Sequence, residues 1–303
     1  GKLYGQWLME AAVFVYDYEK FEPHEIMEIV EKHRITTLCC PPTMFRMFIN
    51  AGLDGHDLSS LKYCCIAGEA LNPDVFYSWQ KATGIKLMEG FGQTEGTVLI
   101  ANFPWIDPKP GSTGKPSPLY NIKLLRPDGT ECDDGEEGSI MACGINRQHP
   151  TGLFSCYYKN PEATAEILKG DWLLTGDMAK ADEEGFIYLV DRKKDVVIAG
   201  GENIYPVEIE NFMRANDQIK DVAVIGLADP RLGEIAAAII EVKEGGHLTE
   251  DEVREFCMPL PKYKRPRKYI FAEVPRNATG KIEKPKLREI YGATNLVDAQ
   301  NRS

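Results

Sequence analysis

Between residues 23 and 95 the apolar period switches repeatedly between helical and strand spacing, and this alternation constrains the fold more than any other feature. PHEIMEIVEKHR carries apolar residues at helical spacing, and TTLCC is a short apolar run. PPTMFRMFIN opens on prolines, as a helix tolerates in its first turn, and LKYCCIAGE reads as a strand. NPDVFYSWQKATG is a proline-initiated helix closed by Gly84, and IKLMEGFG is another strand. Helix and strand in turn imply a parallel sheet with crossover helices.

From about 110 to 192 the rhythm changes to short strands between Gly, Pro and Asp turns: NIKLLRPDGTE, EEGSIMACG, EEGFIYLVDR. This predicts a small antiparallel or barrel-like subdomain. After Asp191-Arg192 comes a compact α+β unit: PVEIENFMRA as helix, DVAVIGL and AAAIIEV as strands, TEDEVREFCM as a capped helix and KYIFAEV as a strand. The segment 185 to 210 joins the two regions as a strand, a charged pivot and a glycine turn opening a helix. The expected division is 1–193, 194–292 and a polar, frayed tail 293–303.

A chain of 303 residues is long enough for about two domains with separate cores. Its charge of −11 is uneven, and 262 to 288 holds ten Lys or Arg against two Glu, a run suited to a polyanion. No aromatic platform motif accompanies the run, so nucleic acid is not the expected partner. Eight cysteines occur without a Cys-x-x-Cys, and the adjacent ones in TTLCC and KYCCIAG read as buried strand residues kept reduced. No apolar run approaches the roughly 18 residues of a membrane span. Cysteine usage suggests a cytoplasmic setting.

Four strings carry chemistry, in order: FGQTE at 91–95, LLTGD at 173–177, DRKKD at 191–195 with GGEN at 200–203, and PRNATGK at 275–281. Alone, each has a plain reading as a polar turn, a Gly-Asp turn, a charged linker or a solvated lysine loop. FGQTE with the preceding Glu89-Gly90 fails the dinucleotide fingerprint on spacing, and Lys281 lacks the residues of a Walker loop. Together and in this order, the strings resemble the adenylate-forming enzymes, and GKLYGQW and PPTMFR are most similar to medium-chain acyl-CoA synthetases.

That resemblance implies a site for ATP or AMP. Gly68, Glu69 and Ala70 would face the adenine; Glu89, Gly90, Phe91, Gly92, Gln93 and Thr94 would form the nucleotide loop. Phe91 would stack on the base, Thr94 would bond the α-phosphate and Glu95 would hold Mg²⁺, a cation that favours carboxylate and phosphate oxygens. Asp177 and Arg192 would hold the ribose, and Lys281 would orient the substrate carboxylate. Lys194 would be the pivot of a mobile small domain. Gly200, Gly201, Glu202 and Asn203 would line a tunnel for the CoA arm, with Arg231 and Lys264 towards its nucleotide end. The Pro-x4-Gly-Lys spacing matches the family's reversible acetylation motif, which implies a lysine acetylase and deacetylase acting on Lys281.

The family's Ser/Thr/Gly-rich phosphate loop ending in Pro-Lys has no counterpart here. GSTGKPSP at 111–118 looks like it, but Ser117 replaces the lysine and the string follows FGQTE. The expectation is therefore the C-terminal part of an AMP-forming acid–thiol ligase, unable to adenylate at a useful rate by itself. Acetate-specific relatives carry a Trp where this chain has Gly92, so the resemblance implies a larger acid, medium-chain or aryl. Two other readings stay open: an adenylation domain that loads a carrier protein, and a non-catalytic nucleotide-binding module.

Overall fold

A computed structural model describes residues 4–68, 71–144, 152–277 and 281–300. It divides into two compact units, Gly1–Leu189 and Val190–Ser303.

In the first unit a short helix α1 (Tyr4–Leu8) precedes α2 (Pro23–Lys32), β1 (Thr37–Cys39), α3 (Pro42–Ala51), β2 (Tyr63–Ile66), α4 (Pro73–Thr83) and β3 (Leu87–Phe91). The three strands are parallel, in the order the alternating pattern requires. β4 (Ile100–Ala101) and β5 (Lys115–Pro116) extend the sheet antiparallel. The prolines sit at the helix starts, where a missing N–H costs nothing, and Gly84 ends α4 in the left-handed region at φ 75°. Met27, Phe45, Phe48, Phe76 and Trp79 bury the helices on Cys64, Ile66 and Leu87.

The second half of this unit is antiparallel. β6 (Tyr120–Leu125), β7 (Glu137–Gly144), β9 (Trp172–Ala181) and β10 (Ile187–Arg192) lie in the order β10-β9-β7-β6, with β8 (Leu168–Lys169) against β9. Between them α5 (Pro161–Ile167) is capped by Asn160, whose side chain accepts from the Ala163 N–H. This helix lies outside the strand rhythm expected for 110–192, although Asn160-Pro161 is an ordinary start signal. The mixed α/β architecture follows the expected parallel-sheet and antiparallel subdomains.

The second unit holds β11 (Val197–Ala199), β12 (Glu202–Ile204), α6 (Pro206–Met213), β13 (Ile219–Asp229), β14 (Gly233–Val242), α7 (Glu250–Phe256), β15 (Lys268–Phe271) and α8 (Lys284–Gln300). β13 and β14 pair over their whole length, and β15 joins β14 in parallel. Thr249 and Glu252 close a capping box on α7, as TEDE predicts.

Three expectations need correction. Gly200-Gly201 does not open a helix: it is the two-residue turn of the β11–β12 hairpin, with φ 62° and 89°, and α6 starts only at Pro206. Both glycines have positive φ, as a type I′ hairpin demands. The Gly-Asp of LLTGD is not a turn between elements: Asp177 lies inside β9. The ladder with β7 skips between Ser139 and Met141, and Gly176 at φ 76° makes the kink. The stretch from 293 is helical as far as Gln300 rather than a coil tail.

Candidate active site

The FGQTE string caps the β3–β4 hairpin. Gln93 N donates to Gly96 O at 2.7 Å, Leu99 N to Phe91 O at 2.9 Å, and Asn102 N to Glu89 O at 2.8 Å. This tight closure leaves no room beside residue 92. A Cβ on Gly92 would lie 2.5 Å from Thr97 O and 2.9 Å from Thr97 C, closer than real contacts allow. Gly92 is therefore required by the hairpin itself, whatever lies beyond it. Gly92→Trp is expected to open the hairpin and cost about 1–3 kcal/mol rather than simply narrow a pocket. Faster amide exchange at Leu99 and Asn102 would show this; unchanged exchange would contradict it.

Gln93 joins two strings that lie far apart in the chain. Its Nε2 donates to Thr175 O at 2.7 Å and to Asp177 Oδ2 at 2.5 Å, tying the hairpin to the kink of β9. Thr175 Oγ1 in turn donates to Ile140 O at 3.0 Å and accepts from Asp177 N at 3.2 Å. Asp177 is thus buried at 8% exposure, with Gln93 donating to its carboxylate and its own N–H held by Thr175. Phe91 is half-buried, and Thr94 is exposed at the hairpin tip.

Glu95 is held by a residue that carries no motif of its own. Tyr157 OH donates to Glu95 Oε1 at 2.5 Å, and the Phe154 N–H donates to Glu95 O at 2.8 Å. The Glu95 bond pushes the Tyr157 phenol up to about 12, so it stays a donor at neutral pH. No motif spacing links residues 95 and 157. Among the described residues no group of three or more His, Cys, Asp or Glu could hold a metal. A half-buried Glu95 with one oxygen bonded to Tyr157 fits Mg²⁺, which usually takes one or two carboxylates plus substrate phosphates.

Behind the hairpin lies a buried carboxyl. Glu89 accepts from Leu71 N at 3.3 Å and Thr113 Oγ1 at 3.1 Å. Burial pushes it up to about 7, against both hydrogen bonds. Thr113 belongs to GSTGKPSP, so that string braces the hairpin from behind. A Cβ on Gly114, at φ 113°, would lie 2.1 Å from Ala101 C. Because the folded value of Glu89 lies above its ordinary 4.5, its stabilising contribution is complete below about 4.5 and is lost as pH rises through about 7. Glu89→Gln should flatten this dependence and stabilise the chain by up to about 3 kcal/mol at alkaline pH, measured by urea unfolding across the range.

Gly68 follows β2 at φ 100°, and Glu69 and Ala70 lie outside the described residues. Glu89, Gly90, Phe91, Gly92, Gln93, Thr94, Glu95 and Asp177 are brought together in the first unit; Arg192, Lys194, Gly200 to Asn203, Arg231, Lys264 and Lys281 belong to the second. There, Arg192 to Asp195 form a turn closed by Asp195 N to Arg192 O at 2.8 Å. Arg192, Lys193 and Lys194 are exposed while Asp191 and Asp195 are buried. Asp191 accepts from the Val207 N–H of α6 at 3.0 Å, and Asp195 pairs with Arg288 at 2.8 Å. Burial raises the Asp191 carboxyl, and nearby Lys284 pulls it back.

Glu202 and Asn203 are exposed on β12, and Arg231 is exposed before β14. Lys264 is bound to both oxygens of Glu208 at 2.7 Å. Burial works against its charge, but Glu208 overrides it and raises the ammonium. Lys281 is exposed on a loop described below.

Comparison with known proteins agrees with these strings. The chain is 34% identical over 294 residues to the acyl-coenzyme A synthetase ACSM3, mitochondrial, of Homo sapiens, covering 95% of this chain and 50% of that protein. It is 36% identical over 293 residues to the human acyl-coenzyme A synthetase ACSM5, mitochondrial, covering 94% and 50%. The chain thus spans about half the length of the curated relatives it matches. It superposes on the anthranilate CoA ligase AuaEII in complex with anthranoyl-AMP with a TM-score of 0.84 at 30% identity, covering 97% of this chain and 57% of that one. On ATP-bound MatB from Rhodopseudomonas palustris the TM-score is 0.80 at 31% identity, covering 91% and 54%.

The mitochondrial names of these relatives overturn the cytoplasmic expectation. Thiol usage separates oxidising from reducing surroundings and cannot rank one reducing compartment above another. The sequence model of AMP-binding enzymes matches residues 3–158 and that of their C-terminal domain residues 208–281. On these matches and the shared fold, the chain belongs to the AMP-binding enzyme family.

Proposed function

We propose that this chain is the C-terminal part of an ATP-dependent acid–CoA ligase acting on an acid larger than acetate. The observation that supports the reading is the Gln93 bridge, which ties the hairpin carrying an exposed Thr94 and a half-buried Phe91 to the carboxylate of Asp177. Phe91 would take the base, Asp177 with Arg192 the ribose, and Thr94 the α-phosphate. Glu95, steadied by Tyr157, would hold Mg²⁺, whose contribution is to offset phosphate charge.

A carboxylate oxygen attacks the α-phosphorus and pyrophosphate leaves, with Lys281 orienting the acid and offsetting the charge. The CoA sulfur then attacks the acyl carbon, its proton goes to solvent, and AMP leaves. The intermediate exchanges a poor leaving group for a good one. Lys194 would be the pivot between the steps and Gly200 to Asn203 the CoA tunnel. These 303 residues contain no phosphate loop ending in Pro-Lys, so by themselves they do not adenylate at a useful rate.

The relatives' names support a reading in which the acid is an acyl or aryl acid, and Gly92 does not narrow it further. Lys281 is also the candidate for reversible acetylation, which would remove its charge and stop the first step. The test is the full-length protein with straight-chain and aromatic acids, ATP and CoA, following AMP and acyl-CoA by mass. Acyl-CoA formation supports the ligase. AMP without acyl-CoA points to a carrier-protein acceptor, and no turnover leaves a nucleotide-binding module.

A further inference from the structure

Five charged side chains of the second unit connect the two feet of the Lys281 loop. On the incoming foot, Arg276 Nε donates to Asp221 Oδ2 at 2.8 Å, and its Nη2 lies 2.6 Å from the same oxygen. On the outgoing foot, Lys284 Nζ lies 2.8 Å from Glu210 Oε1, an ion pair by distance rather than an aligned hydrogen bond. Arg214 spans the gap, 3.7 Å from Asp221 Oδ1 and 3.8 Å from Glu210 Oε2, and donates to Val222 O at 3.2 Å.

The signs alternate along this series, and three of its members are buried: Asp221 at 8%, Glu210 at 3% and Lys284 at 8% exposure. Both carboxylates are also fixed by backbone, Asp221 by the Val222 N–H at 2.9 Å and Glu210 by the Val224 N–H at 2.8 Å. The loop above is closed in steps. Glu283 N donates to Pro275 O at 2.9 Å, Arg276 bridges Ile282, and Asn277 N donates to Lys281 O at 2.9 Å. Lys281 N then donates to Asn277 Oδ1 at 3.0 Å. An exposed lysine thus stands on a buried ionic foundation.

We propose that Asp221 and Glu210 are positioning residues for Lys281, fixing both feet of its loop so that the ammonium is presented from one place. The proposal rests on the reading of Lys281 given above. A buried pair that loses one partner leaves an uncompensated charge, so either change should be felt at the loop first. A lysine displaced by an ångström loses its effect on the reaction while substrate binding survives.

The test is amide exchange of the 303-residue chain carrying Asp221→Asn or Glu210→Gln. Arg276→Gln is a third variant, because it removes the outer partner and leaves Asp221 with Arg214. Exchange at Asn277 and Lys281 should quicken about tenfold while the β13–β14 core amides of Val224 and Ile239 keep their protection. Loss of protection across that core, or no change at the loop, would overturn the proposal.

In the full-length protein the same variants should lower kcat for acyl-adenylate formation with KM for ATP nearly unchanged, and add nothing to Lys281→Ala. A raised KM at constant kcat counts against positioning. If loop exchange responds but Lys281→Ala leaves adenylation intact, the ionic clamp stands and the role given to the lysine fails.

Discussion

On the proposed ligase reading, Lys281→Ala in the full-length protein is expected to lower acyl-adenylate formation about 10²- to 10³-fold, the scale on which one positioned charge-stabilising group acts. The loss falls on the first step because that is where a carboxylate must approach an anionic phosphate. The second step, started from supplied acyl-AMP and CoA, should keep most of its rate, since attack on an acyl carbon needs no cation between two anions. Pyrophosphate exchange and thioester formation measured separately decide the point. Equal loss in both would mean that the lysine serves the fold or the domain movement instead. Lys281→Arg keeps charge but changes its shape and reach, and should recover only a small part.

Trp79→Ala should destabilise the first unit by about 3–5 kcal/mol, the cost of emptying a large aromatic site in a packed core. Trp79 is 1% exposed on α4 and meets Phe45 of α3 edge-on at 4.8 Å, with Phe48 at 6.2 Å. It therefore joins two helices to the sheet whose β3 leads into the FGQTE hairpin. Urea unfolding followed by circular dichroism would register the loss, and Trp79→Phe should restore part of it. Lys281→Ala, an exposed change in the other unit, should leave the same transition where it was. A small effect of Trp79→Ala would mean that the neighbours collapse into the space.

The contrast between these residues shows what patterns reveal. Trp79 could be placed in a core from the spacing of NPDVFYSWQKATG alone, because a helix must bury its apolar stripe. Lys281 could be singled out only through PRNATGK in company with the other strings, since an isolated lysine loop has no periodic signature. Gly92 was legible as a glycine but not for its reason. The resemblance made it a pocket residue, whereas the hairpin leaves no space for any Cβ beside Thr97.

Tyr157, Thr113 and the Arg276–Asp221–Arg214–Glu210–Lys284 series carried no sequence signal. Their partners lie at separations set by folding, 62 residues between Tyr157 and Glu95 and 55 between Arg276 and Asp221. The GGEN string shows the reverse case. A Gly-Gly pair between short apolar runs is itself a hairpin signal, and the helix that follows it begins only at Pro206.

The sequence by itself determined the order of most elements, the parallel strands and the strings that mark the family. Local periods and turn residues encode these, since each depends on only a few neighbours in the chain. The tertiary structure alone decided that Gln93 orients Asp177, that Tyr157 steadies Glu95 and that buried carboxylates brace the Lys281 loop. Hydrogen bonds and ion pairs join whichever groups the packed backbone brings within about 3 Å, and separation along the chain does not enter their energy.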